Sequence, residues 1–139
     1  MEKTLLLVKP DALHRKLLGQ IISKVEQKGY NLIAGKLLLL NEDLVRSLYA
    51  HHTDKPFFNR LVDYMTSGPV FALLVKGKNV IAEMRRLCGA TNPSEAQIGT
   101  IRGDMAISVE HNLVHCSDSS SAAETEIPLF FSTNDISSA

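Results

Sequence analysis

The sequence has only two cysteines, Cys88 and Cys116, among 139 residues. That excludes a disulfide framework and fits a reducing compartment. It has no net charge, because fifteen Lys+Arg offset fifteen Asp+Glu. No global field therefore draws it to nucleic acid or to a membrane surface. No apolar run reaches about 18 residues, so nothing reads as a membrane span. Met1-Glu2-Lys3-Thr4-Leu5 enters a strand-like run with no signal-peptide cleavage pattern, and we expect a cytoplasmic protein. Internal repeats and low-complexity segments are also missing. What is left, 45% hydrophobic and 22% charged residues, is ordinary for a globular protein. We expect residues 1–139 to form one domain.

Periodicity then orders the chain. Thr4 to Val8 reads as a buried strand that Pro10 stops. Ile21, Ile22 and Val25 recur at helical spacing, with Gly29 at the helix end. Asn31 to Leu40 reads as a second strand. Asn41 suits the N-cap of a helix carrying Leu44, Val45 and Leu48. Pro56 suits the first turn of another, with Phe57, Leu61 and Met65 on its apolar side. Ser67-Gly68-Pro69 ends that helix. Val70 to Val75 reads as a third strand, and Asn79 as the cap of a helix running to Cys88. Ala90 to Asp104 has no clear period and reads as a functional loop. A fourth strand carries Val114, followed by a helix capped by Asp118 or Ser119, which Pro128 ends or kinks. The tail from Ser132 reads as polar and frayed. This order predicts an α/β fold, a split βαβ (ferredoxin-like) arrangement with a four-stranded antiparallel sheet and helices on one face.

Chemistry concentrates at Asn112-Leu113-Val114-His115-Cys116-Ser117-Asp118, where an apolar run meets a helix start. An imidazole there can act as base, metal ligand or nucleophile. His111 lies four residues before His115, so on a helix the two could share a metal, although no third ligand stands out. His51-His52 reads as a solvent-facing pair. Arg85, Thr91 and Arg102 surround the irregular segment with guanidiniums and a hydroxyl, as phosphate binding requires. A solvated loop with scattered charges would read the same way. Lys9 ends the first strand within reach of a ligand at the sheet edge. Phe57-Phe58 offers one core ring and one ring free to stack on a base. Together these suggest phosphoryl transfer on a small nucleotide.

The central stretch resembles the active-site signature of nucleoside diphosphate kinases. So do Lys9-Pro10-Asp11, Lys55-Pro56-Phe57-Phe58, Ser67-Gly68-Pro69, Gly89-Ala90-Thr91-Asn92-Pro93 and Gly99-Thr100-Ile101-Arg102-Gly103-Asp104. They occur in the family order up to about Phe131. The resemblance implies transfer of the γ-phosphoryl group of a nucleoside triphosphate to a nucleoside diphosphate through His115. It implies that Lys9 and Asn112 hold the sugar 3′-hydroxyl, with Lys9 also near the phosphoryl group. Arg85, Thr91 and Arg102 become phosphate ligands. Phe57 stacks on the base, and Val109 contacts its other side. Tyr49 lies close to the histidine, and Ser117 with Glu126 supports it. Mg2+ bridges the phosphates, and the chain forms a homo-oligomer, hexamer or tetramer. Whether Glu126 or a backbone carbonyl takes the second imidazole proton stays open in the sequence.

Three positions depart from the family pattern. Cys116 replaces glycine beside the nucleophile and could crowd the site. Ile98 replaces proline in the irregular segment, and Pro128 replaces glycine in the last helix. A degenerate nucleic-acid-binding member and a metal-dependent hydrolase using His111 and His115 are the rival readings.

Overall fold

The computed structural model describes residues 1–137. Four strands, β1 (Glu2–Val8), β2 (Asn31–Leu38), β3 (Val70–Gly77) and β4 (Val114–Cys116), form one sheet in the order β2-β3-β1-β4. Every pair is antiparallel. Helices α1 (Pro10–His14) and α2 (Leu18–Gln27) connect β1 to β2; α3 (Glu42–Leu48) and α4 (Phe58–Met65) connect β2 to β3. Between β3 and β4 lie α5 (Val80–Cys88) and α6 (Ile101–Met105). After β4 come α7 (Ser120–Phe130) and α8 (Thr133–Ser137). The expected ferredoxin-like βαββαβ frame is therefore present, with extra helices inserted.

Helices cover both faces of the sheet, not one. Side chains alternate across a strand, yet Leu5, Leu6, Leu7 and Val8 are all 0% exposed. Both faces of β1 must be covered to bury four in a row, and α5 and α7 both pack on β1. On β4, His115 meets Glu126 of α7 while its neighbour Cys116 meets Cys88 of α5. Adjacent residues point to opposite faces, so α5 and α7 lie on opposite sides. Helix α2 packs against α5, and α3 packs against α7.

Local chemistry explains several boundaries. The Asn41 side chain accepts from Leu44 N at 2.8 Å, the cap its position predicts. Ser119, not Asp118, caps α7 by accepting from Ala122 N at 3.1 Å. Asn79 precedes α5 but makes no side-chain cap bond; its φ of 55° uses the tolerance of asparagine for the left-handed region instead.

Other expectations fail for visible reasons. The stretch from Ala90 to Asp104 is not a plain loop: Pro93–Glu95 forms a 3-10 turn, and Thr100 caps α6 by accepting from Gly103 N at 2.9 Å. Five residues are too few to display a helical period. Pro128 does not end α7, which runs two residues further; so near the C-terminus it removes only one late helix bond. The tail is not frayed over its described part. Ser132 N donates to Asp135 Oδ2 at 2.8 Å, and Lys36 Nζ donates to Asp135 Oδ2 at 3.5 Å, docking α8 against β2. Helix α4 starts at Phe58, two residues beyond Pro56, so Phe58 enters the core and Phe57 stays outside.

Candidate active site

Strand β4 enters the sheet through a strained turn. Val114 N donates to Asn112 O at 2.9 Å, and Leu113 between them has φ 76°. This i→i+2 bond around a positive φ is a γ-turn, which a leucine adopts only when its surroundings force it. They do. The Leu113 side chain is fully buried, and its carbonyl accepts from Lys9 N at 2.8 Å. Arg102 supplies the remaining restraint. Its Nε donates to Asn112 O at 3.3 Å, Nη2 to Val114 O at 2.8 Å and Nη1 to Gly89 O at 2.7 Å. The guanidinium thus straddles the turn and ties it to the end of α5. Gly89 is required there: its φ is 87°, and a Cβ would meet Thr100 Oγ1 at 2.5 Å.

The turn aims His115 at α7. His115 Nε2 lies 3.0 Å from Glu126 Oε1, which also accepts from Ser117 Oγ at 2.8 Å. The second imidazole proton therefore goes to the Glu126 carboxylate, not to a backbone carbonyl. With Nε2 donating, Nδ1 of a neutral ring keeps its lone pair. The Tyr49 ring stands edge-on to His115 with centroids 5.4 Å apart. Burial, reinforced by Glu126, raises the Tyr49 pKa and keeps the phenol protonated. Its buried hydroxyl has no partner.

Lys9, just after β1, and Asn112, at the start of the turn, form the floor. Lys9 Nζ donates to Asn112 Oδ1 at 2.9 Å, and Asn112 Nδ2 donates to Thr91 O at 3.1 Å. Lys9 is a buried cation, so desolvation and then the neighbouring Arg102 charge lower its pKa to about 8.

The rim is different in kind. Phe57 and Val109 stand 41% and 51% exposed. The Arg60–Glu110 ion pair, at 3.5 Å, ties their two segments together. Arg85 and Thr91 are exposed as well. Arg85 also lines a cleft of about 670 Å³ with Arg86, Lys28, Glu83, Gln97 and Thr100. That cleft does not include His115, Lys9, Asn112 or Arg102.

Sequence reasoning missed several groups. His51 and His52 do not form a solvent-facing pair. His51 is exposed, but His52 is half-buried in a ring ladder, 6.3 Å from Tyr49 and 5.9 Å from Phe57. The 3-10 turn at Ala50–His52 brings His52 round beside Tyr49. The Tyr64 hydroxyl bonds Asp11 Oδ1 beneath Lys9, and nothing in the spacing announces it. His111 and His115 do not share a helix; His111 sits in a turn with its ring edge-on to Tyr64 at 5.3 Å. Among the described residues no group of three or more His, Cys, Asp or Glu could hold a metal. Cys116 does not crowd the site, because it points to the opposite face of β4 and is 7% exposed.

This geometry matches known proteins. Residues 2–136 match the sequence profile of the family described as nucleoside diphosphate kinase. A nucleoside diphosphate kinase of Oceanobacillus iheyensis is 52% identical over 98% of this chain and 92% of its own length. One of Archaeoglobus fulgidus is also 52% identical, over 98% of this chain and 90% of its own. Among solved structures, a nucleoside diphosphate kinase family protein from Babesia bovis superposes with TM-score 0.95 at 41% identity, covering 98% of this chain and 92% of that one. A halophilic nucleoside diphosphate kinase of Halobacterium salinarum, solved with CDP, gives 0.94 at 44% identity, covering 97% of this chain and 90% of that one. Two relatives 52% identical over almost the full length, together with solved family members of the same fold, leave one assignment: the chain belongs to the nucleoside diphosphate kinase family, and its activity is phosphoryl transfer between nucleotides.

Proposed function

We propose that His115 is the nucleophile of this transfer. The observation that carries the reading is the 3.0 Å contact of Nε2 with Glu126, which leaves Nδ1 as the free lone pair. In the first half-reaction Nδ1 attacks the γ-phosphorus of a nucleoside triphosphate, the bond to the β,γ-bridging oxygen breaks, and the diphosphate leaves. The phosphohistidine then passes the group to a second diphosphate, which makes the kinetics ping-pong. Phosphoryl transfer needs positioning and charge stabilisation more than covalent help. Lys9 supplies a desolvated positive charge next to the reacting phosphoryl, and Asn112 with Lys9 receives the sugar 3′-hydroxyl. Arg102, Arg85 and Thr91 take phosphate oxygens; Arg102 uses three of its N–H groups on backbone carbonyls and has two left. The unpartnered Tyr49 hydroxyl offers a further donor beside the imidazole. Phe57 and Val109 sandwich the base, and stacking tolerates every base because each has a π-face.

The donors around His115 are cationic or neutral, suited to phosphate oxygens and not to a metal. Mg2+ would be held by the nucleotide's own phosphates, where it would neutralise their charge. Residues 1–139 act as one domain in the cytoplasm, in keeping with the absence, among the described residues, of a helix long and apolar enough to cross a membrane. Because both faces of the sheet are covered, a bare face cannot drive assembly. The edge strand β2 is the better support for a homo-oligomer, hexamer or tetramer, with Leu37 in it and Leu39 just past its end 61% and 70% exposed. The reading is tested with radiolabelled ATP and magnesium. The protein alone should acquire an acid-labile, base-stable label on His115 and surrender it to dTDP. Label on another residue, or release of inorganic phosphate without an acceptor, would reject it.

A further inference from the structure

His115 and Cys116 are neighbours on β4 that leave opposite faces of the sheet. The catalytic reading uses the first and has no use for the second. Cys116 faces α5, which packs on β4, and its thiol lies beside that of Cys88, the last residue of the helix. Both cysteines are free and buried, at 7% and 0% exposure. Two thiols in contact between a helix end and the strand that carries the nucleophile are more than a pair of core fillers.

We infer that Cys88 and Cys116 form a redox-active dithiol, which a hydroperoxide converts to an intramolecular disulfide that ties α5 to β4 and slows phosphoryl transfer at His115.

The charge pattern assigns the roles. The neighbouring Cys88 thiol, then Arg102 and Arg85, favour the thiolate on Cys116 against the opposing effect of burial. The Cys116 thiol, together with burial, pushes the Cys88 thiol up, so Cys88 keeps the proton. Thiolates and not thiols attack peroxides. The Cys116 thiolate therefore attacks the O–O bond of hydrogen peroxide, giving a sulfenic acid and hydroxide. The Cys88 sulfur then attacks the sulfenic sulfur. The S–S bond forms, the S–O bond breaks, and water leaves with the Cys88 proton. In sum the two thiols lose two electrons and two protons, and the peroxide becomes two waters.

The route to the active site is short. A disulfide holds its sulfurs about 2.05 Å apart, closer than two free thiols can approach. Oxidation must draw the end of α5 and β4 together. Arg102 binds the carbonyl of Gly89, which follows Cys88, and that of Val114, two residues before Cys116. Any such shift therefore reaches the guanidinium that holds the γ-turn beneath His115.

Purified full-length protein treated with hydrogen peroxide and mapped without reduction should yield one peptide joining Cys88 to Cys116. Its intact mass should fall by two hydrogens. Phosphoryl transfer should fall several-fold in step with linkage and return with dithiothreitol. Cys88→Ala should instead leave a dimedone-reactive sulfenic acid on Cys116, and Cys116→Ala should resist peroxide. Peptide mapping needs no activity assay, so it reads the linkage even if the phosphohistidine reading fails. An intermolecular link, no link, full activity in the linked protein, or equal inactivation of Cys116→Ala would each overturn the inference.

Discussion

The floor and the rim of the site are built on opposite principles. Lys9, Asn112, Arg102, Ser117 and Glu126 are buried polar groups, and each has a named hydrogen-bond partner within the chain. Phe57, Val109, Arg85 and Thr91 are exposed side chains that the fold leaves largely uncommitted. A buried polar group without a partner is costly, so the floor is assembled during folding and, on the proposed reading, would meet the phosphoryl group preformed. Preformed dipoles and charges need no reorganisation in the transition state. On the proposed reading the rim can be loose, because it would hold the base and the phosphates that are not transferred. The contrast would then separate residues that act on kcat from residues that act on KM.

The strongest challenge to this division is His115→Ala. It should abolish labelling by ATP and lower turnover by roughly 10⁴-fold or more, as loss of a nucleophile does. A variant retaining wild-type transfer would remove the floor from the reaction altogether.

Lys9→Met and Arg102→Ala come next and sharpen the comparison within the floor. Each should reduce kcat by about 100-fold, the cost of losing one charge at the reacting group. Their stabilities should diverge. Arg102→Ala strips donors from three backbone carbonyls and should lower Tm clearly. Lys9→Met replaces a buried charge by an apolar chain of similar length and should leave Tm unchanged or raised. Equal Tm losses would show that Arg102 is no more structural than Lys9.

A pH series tests the same lysine without mutation. In the free enzyme Lys9 is protonated below about pH 8 and neutral above it, against 10.5 when unfolded. kcat/KM should therefore fall as pH rises through about 8. Stability should move the other way. The unfolded chain binds the extra proton between the two values, so the Lys9 contribution to folding rises across that window and is lost as pH falls through the folded value. Parallel curves for activity and Tm would contradict a buried, catalytically required ammonium.

The smallest effects belong to the rim. Phe57→Ala should raise KM by about fivefold, corresponding to about 1 kcal/mol of stacking, and leave kcat alone. Val109→Ala should do less. Both should keep Tm, since exposed side chains away from the core contribute little. A kcat loss in either would merge rim and floor.

Sequence patterns carried the strands, the order of the helices and, through the motif resemblance, the residues that gather around His115. These are local signals: alternation, capping and spacing. They could not carry the second cover on the sheet, because helix periodicity marks an apolar face without naming what it covers. Nor could they show Arg102 spent on backbone carbonyls, since a guanidinium in a phosphate motif has the same letter whether its donors face ligand or fold. Cys88 reads only as the end of a helix, and the pairing of β4 is what brings Cys116 to it. Adjacency makes His52 read as half of a surface pair and says nothing of a 3-10 turn. In each case the missing information is a contact between residues far apart in the chain.

The shortness of β4 has a kinetic consequence. Its register pairs Leu6, Leu7 and Val8 with Cys116, His115 and Val114, joining the two ends of the chain. Such a pairing closes the longest loop of any strand pair in the sheet, and loop closure must precede any reward from the contacts it makes. Three residues of pairing make a weak latch that forms after the helices and the other strand pairings and opens before them. The β1–β3 and β2–β3 pairings would then survive excursions in which His115 has already swung away. Amide exchange at Val114 and Cys116 should accordingly run faster than at Leu73 and Leu74, and catalytic competence should be lost at lower denaturant concentration than the sheet itself.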